Sequence, residues 1–305
     1  MSSAEPVAWV LNLDAEDELA RGGAHTPTDV MKARIESLEP RLRGGLIRPA
    51  DGVLWPGSEP VERGLWGRAW CLTRWARTQL EQAELRVPRA PSAEVLRRVN
   101  HRRFAHELGQ ALPSAGWAAN REQLTSLLEA TGTLEQVSVE QSWLIKRPLG
   151  YAGRGRRTLR PGALTKADQA WLDASMRDGD GLQVEPLVAR ELDCALHGWL
   201  AEDGACTFGQ PTLQHLDDTG AWQSTELAPP GSLMESEFLA LTREAHRTAD
   251  ALHAGGYFGP FGLDAFRWLA PDGQLHFQPR SEVNARYSMG WATGMGDFRP
   301  PAGAF

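Results

Sequence analysis

Lys146 closes an apolar, β-prone run, Ser142 to Lys146 (SWLIK), and the chain continues Arg147-Pro148-Leu149-Gly150-Tyr151-Ala152-Gly153-Arg154-Gly155. Glycines let backbone N–H groups approach phosphate oxygens closely, and a lysine adds a point charge. The loop is not a Walker A motif, because no G-K-[ST] follows a GxxxxG. A basic surface turn would carry the same residues. Lysine is scarce, however: Lys32, Lys146 and Lys166 are the only three among 32 basic residues, so its placement is informative. Further on, Glu185-Pro186-Leu187-Val188-Ala189-Arg190-Glu191 joins a strand to a second acidic residue. Such a connector could present backbone groups to an adenine edge and a carboxylate to ribose hydroxyls. A solvated strand end reads the same way.

The richest stretch is C-terminal. Asp264 lies in Gly259-Pro260-Phe261-Gly262-Leu263-Asp264, and the return strand reads Arg280-Ser281-Glu282-Val283-Asn284-Ala285-Arg286. Strand side chains alternate, so Arg280, Glu282, Asn284 and Arg286 are expected on one face. Two oxygen ligands two residues apart, with a carboxylate opposite, suit a hard cation that bridges to substrate phosphates. The interleaved arginines would hold a polyanion or a carboxylate. An amphipathic strand with an ordinary charged face is the plainer alternative. Pro279 can mark a bulge that breaks the alternation.

A lysine strand before a glycine loop, then E-x-x-x-x-x-E, then G-x-D followed by E-x-N-x-R, in this order, resembles the ATP-grasp superfamily. The resemblance covers roughly Pro91 to Gly290. It implies an α+β fold in which two α+β subdomains clasp ATP, preceded by an α/β pre-ATP-grasp domain. The expected division is 1–90, 91–185 with the glycine loop, and 186–305 with the metal site.

Carried over by position, Lys146 matches the lysine on the nucleotide phosphates, and Gly150, Gly153, Arg154 and Gly155 match the phosphate-covering loop. Glu185 and Val188 match the adenine hinge, and Glu191 the ribose-binding acid. Glu282 and Asn284 match the paired Mg²⁺ ligands (Mn²⁺ being the alternative ion), with Asp264 upstream. Arg286 matches the arginine that faces phosphate or substrate carboxylate, with Arg280 and the Ser288-Met289-Gly290 turn beside it. In two places the sequence departs from the family. Where relatives have a further phosphate lysine, this chain has Asn100-His101-Arg102-Arg103-Phe104, so Arg102 or Arg103 would substitute. Asp264 and Glu282 are 18 residues apart, longer than the family hairpin.

The resemblance implies an ATP-dependent carboxylate–amine ligase. ATP would phosphorylate a small carboxylate, and an amine would displace phosphate to form an amide. Phosphoryl transfer to a non-carboxylate acceptor and a non-catalytic ATP-binding scaffold stay open. No Ser-His-Asp or Cys-His set stands out among the scattered histidines.

The elements that must position these residues are partly legible. Val7 to Leu13 reads as a first strand, and Thr26-Pro27 opens a helix through Leu38. Trp70, Leu72, Trp75, Leu80 and Leu85 predict a helix over Ala69 to Leu85. Ser92 to Leu112 and Arg121 to Ala130 read as helical. Thr165 and Asp168 have capping-box spacing before a helix through Met176. Leu182 to Val188, Arg190 to Leu200 and Ala205 to Gln214 read as strands. Glu235 to Ala254 is the clearest helix, with Gly255-Gly256 as its stop. Pro271-Asp272-Gly273 turns a hairpin.

Composition narrows the partners. The 305 residues are 42% hydrophobic and 23% charged, with net charge −7 and pI about 5.7. An acidic chain lacks the basic surface that nucleic acid or an anionic membrane requires. Met1-Ser2-Ser3-Ala4-Glu5-Pro6 has no basic n-region, and Cys71, Cys194 and Cys206 form no C-x-x-C pair. A reducing cytoplasm is expected. The Trp-rich Leu65 to Trp75 stretch fits either a homodimer face or a buried helix.

Overall fold

A computed structural model of the chain describes residues 5–22, 25–54, 58, 60–129, 131–138, 140–150, 153–160, 162, 164–177, 179–217, 222–301 and 303–304. Tyr151 and Ala152 of the glycine loop lie outside the described residues, as does Ala130.

The first elements are β1 (Val7–Val10), α1 (Ala15–Arg21), α2 (Asp29–Leu42), β2 (Gly52–Leu54), β3 (Trp66–Ala69) and α3 (Arg74–Gln82). The strands form a parallel sheet in the order β2-β1-β3. The central β1, VAWV, is buried throughout, as a strand covered on both faces requires. The helix expected from Ala69 begins only at Arg74. Trp70 N instead donates to Val10 O, extending the ladder to β1, and the Thr73 side chain caps α3. The apolar stripe at Trp70 and Leu72 is thus strand end and turn. Asn12 locks this turn to the end of β1, donating to Cys71 O at 2.8 Å and accepting from Cys71 N at 3.2 Å.

The next run comprises α4 (Ala93–Asn100), α5 (Arg102–Glu107), β4 (Gly116–Ala118), α6 (Arg121–Glu129), α7 (Thr131–Val137), β5 (Trp143–Lys146), β6 (Arg156–Leu159), α8 (Lys166–Met176) and β7 (Leu182–Pro186). An antiparallel sheet runs β4-β7-β5-β6. Trp143, Ile145 and Val184 bury against Leu124 of α6 and Leu172 of α8. The expected capping box is present: Thr165 Oγ1 accepts from Asp168 N, and Asp168 accepts from Thr165 N. Caps of this kind contribute about 1 kcal/mol.

The last run comprises β8 (Ala189–Leu200), β9 (Cys206–Phe208), β10 (Thr212–Leu216), β11 (Trp222–Leu227), α9 (Glu235–Ala254), β12 (Gly259–Leu269), β13 (Leu275–Asn284) and α10 (Trp291–Met295). The sheet order is β11-β10-β8-β12-β13, with β9 on β8. Helix α9 buries Leu241, Ala245, Ala249 and Leu252 in the core that holds Leu263, Ala265 and Val283. The long hairpin carries an irregularity: Asp264 pairs with Glu282 and Phe266 with Gln278. Residues 279–281 therefore stand opposite the single Ala265. Pro279 cannot donate to the ladder, and a bulge accommodates it.

Candidate active site at the junction of the two antiparallel sheets

Where β7 ends and β8 begins, the connector is held by Leu187 N donating to Ser142 O at 2.8 Å and by Ser138 Oγ donating to Leu187 O. A cavity of about 180 Å³ opens beside it. Lys146, Gly150, Gly153, Arg154 and Arg102 line one side, and Asp264, Glu282, Asn284 and Arg286 the other.

Each of these side chains is aimed by its element. Leu144 pairs with Glu185 across β5 and β7, so Lys146, two residues on, is the diagonal same-face neighbour of Glu185. The Lys146 ammonium meets the Glu185 carboxylate, and both residues are buried. Burial, partly offset by Glu185, pulls the Lys146 pKa below its ordinary value. Arg102, in the first turn of α5, donates to Arg147 O at 2.9 Å and pairs with Glu282 Oε1 at 2.6 Å.

Asp264 and Glu282 face each other directly across β12 and β13. Like charges so placed are unfavourable. Asp264 answers with a carboxyl pushed up to about 6, by burial first and then by Glu282. Glu282 moves the other way: burial is the largest influence and acts upward, but Arg102 and Lys146 outweigh it and hold the carboxyl below its usual range. Divergent shifts in adjacent carboxylates are typical of functional sites. Gln214 Nε2 donates to Asp264 Oδ1 at 2.8 Å, and Asn284 Nδ2 to Asp264 Oδ2 at 3.0 Å. Arg286 donates to Asn284 Oδ1 at 3.0 Å.

Two carboxylates and an amide make an oxygen-only donor set. No group of three or more His, Cys, Asp or Glu side chains able to hold a metal occurs among the described residues. The oxygen-only set is of the kind magnesium takes, with one or two carboxylates and its other ligands from water and phosphate.

No family model and no curated protein matches the sequence. Solved structures do. Biotin carboxylase from Campylobacter jejuni, in a β-γ-ATP complex, superposes with TM-score 0.55 at 12% identity, over 97% of this chain and 72% of that one. D-alanyl-alanine synthetase A from Vibrio cholerae gives 0.51 at 11%, over 97% and 91%. N5-carboxyaminoimidazole ribonucleotide synthetase from Thermus thermophilus gives 0.51 at 17%, over 92% and 71%. The chain has the ATP-grasp fold.

Several residues read from the sequence lie elsewhere in this fold. Arg280 was expected on the face of Glu282. The irregularity at residues 279–281 turns it to the opposite face, where its guanidinium bonds Glu244 of α9 at 2.7 Å and the carbonyls of Ala105 and Gly109. Arg103 points outward and pairs with Glu107 at 2.7 Å, so of the two Arg102 is the one that lines the cavity. Glu191 is exposed, because the β8–β12 register shifts between Arg267 and Trp268 and skips it. Arg190 and Asp193 line the cavity in its place, paired at 2.7 Å, with the Arg190 guanidinium 4.0 Å over the Phe266 ring. Val188 sits in an apolar cluster with Phe266, Trp268 and Val137.

Other residues at the site went unnoticed in the sequence. Gln214 and Trp222 come from β10 and β11, which reach Asp264 only through the sheet order. Glu16 of α1 accepts from Arg286 Nε at 2.5 Å. No spacing in the sequence links these positions.

Proposed function

We propose that this protein is an ATP-dependent carboxylate–amine ligase that proceeds through an acylphosphate and releases ADP and phosphate. The observation that carries the reading is the convergence, in one cavity, of Lys146 and Arg102 with the Asp264, Glu282 and Asn284 trio. The three units proposed are 1–90, 91–185 and 186–305.

Lys146 and Arg102 hold the nucleotide phosphates, and Arg102 exchanges Glu282 for phosphate as it does so. Glu185 and Val188 face the base, with the apolar cluster around Phe266 as its platform. Asp264, Glu282 and Asn284 hold a divalent cation. Asn284 would offer its amide oxygen, which now accepts from Arg286, as the third ligand. The cation supplies charge neutralisation on the phosphoryl group in flight. Arg286 orients the acceptor carboxylate, and Gly150, Gly153 and Gly155 let the loop approach the phosphates and shield an acylphosphate from water. The amine attacks the acyl carbon, and phosphate leaves.

All three cysteines are free thiols, which suits a reducing cytoplasm. No helix among the described residues is long and apolar enough to cross a membrane.

Nucleotide product analysis tests the reading. The protein is incubated with ATP, Mg²⁺ and pooled carboxylic acids and amines. Acid-dependent ADP and phosphate support it, whereas AMP and pyrophosphate would replace it with adenylation.

A further inference from the structure

A second cavity, also about 180 Å³, adjoins the first and shares Gln214, Trp222, Asp264, Asn284 and Arg286 with it. It opens on Asp264 and Asn284 from the side of the parallel sheet. Leu13 and Trp70 reach it from the C-terminal ends of β1 and β3, where ligands of parallel sheets bind. Leu38 of α2, Trp222 of β11 and Met289 of the turn after β13 complete an apolar wall, while Arg34 of α2, Thr225 and Ser288 line the rest of the cavity. The Trp222 indole N–H is spent on Thr225 Oγ1 at 2.8 Å, and the Arg286 guanidinium lies 5.6 Å from the Trp70 ring. At Gly290, on the same wall, a Cβ would come within 2.9 Å of Thr225 and 3.1 Å of His197, so the turn lies tight against its neighbours.

A small polar acid gains nothing from such a wall. A hydrocarbon body buried there gains about 25 cal/mol per Å² of apolar surface removed from water. We propose that the acceptor is a carboxylic acid with a bulky aromatic or branched aliphatic body. Its carboxylate meets Arg286 at the junction of the two cavities, and its body lies among Leu13, Leu38, Trp222 and Met289. The inference rests on the ligase reading and adds the substrate class to it.

Equilibrium titration of acids into the full-length protein loaded with Mg·ADP tests it, with phenylacetate and 4-methylpentanoate against acetate and succinate. The bulky acids are expected to bind at least tenfold tighter. Leu38→Asp and, independently, Met289→Asp should weaken phenylacetate about tenfold or more while the Mg·ADP affinity stays unchanged, and Leu38→Met should restore it. Acetate or succinate binding as well as phenylacetate would overturn the proposal, as would unaltered binding in both Asp variants, or no binding by either bulky acid. Failure of Mg·ADP to bind would instead refute the ligase reading. The same acids titrated into nucleotide-free protein then decide the substrate class by the same ratio.

Discussion

Glu16 and Arg286 lie 270 residues apart in sequence, yet Glu16 Oε1 accepts a 2.5 Å hydrogen bond from Arg286 Nε. Both are buried, at 4% and 7% exposure. Burial lifts the Glu16 pKa, whereas Glu16 keeps Arg286 charged against the burial that opposes it. The pair ties the first described helix, α1, to the segment that directly follows β13. Glu16→Ala strands a buried guanidinium, so a loss of about 3–5 kcal/mol in unfolding free energy is expected by chemical denaturation. Glu16→Gln keeps an acceptor for Arg286 and should recover part of that loss. Under native conditions its defect should fall on the acid substrate rather than on ATP.

Arg102 and Arg103 separate cleanly. Arg102 holds Glu282 inside the cavity, while Arg103 faces solvent. A charge-assisted hydrogen bond contributes about 1.5–3 kcal/mol, so Arg102→Ala should weaken ATP roughly 10- to 150-fold by calorimetry. Arg103→Ala should leave ATP affinity within about twofold, because exposed pairs contribute about 0–1 kcal/mol. Equal effects would refute the assignment.

Arg280 is structural. Its pairing with Glu244 behind the sheet predicts that Arg280→Ala costs up to about 3–5 kcal/mol of stability, because the buried carboxylate keeps only the half-exposed Arg247 at 3.6 Å as a cationic partner. The double variant Arg280→Met with Glu244→Leu should regain most of it. Activity per folded molecule should be unchanged in the double variant.

His197 makes stability depend on pH. Burial alone pushes its pKa down to about 4, from 6.5. The unfolded chain binds this proton at a pH where the folded chain does not. Stability is therefore full above 6.5 and is lost as pH falls toward 4, by about 3 kcal/mol in all. Denaturation midpoints measured across that window should flatten in His197→Gln. An unchanged slope would mean that His197 is not the group responsible.

What the sequence made legible was local. The clearest helix, Glu235–Ala254, has the bounds its periodicity predicted, and the capping box at Thr165 is present. The order of lysine, glycine loop and hairpin was sufficient for the fold, because each motif sits on its own strand or turn. Two departures share one cause, which is that strand pairing outweighs pattern. Extra residues in the β12–β13 register turned Arg280 away, and the β1 ladder took Trp70 from a helix. Gln214, Trp222 and Glu16 needed the topology itself, since sheet order and a contact spanning the chain leave no trace in spacing.

The central claim is that one cavity binds nucleotide and cation together. Calorimetric titration of ATP with and without Mg²⁺, in the native protein, Glu282→Gln and Asp264→Asn, tests it most directly. The account predicts tighter binding with Mg²⁺ in the native protein, and loss of that Mg²⁺-dependent gain in both variants while ATP alone still binds. Retention of the full gain in both variants would place the cation, and the chemistry proposed around it, somewhere else.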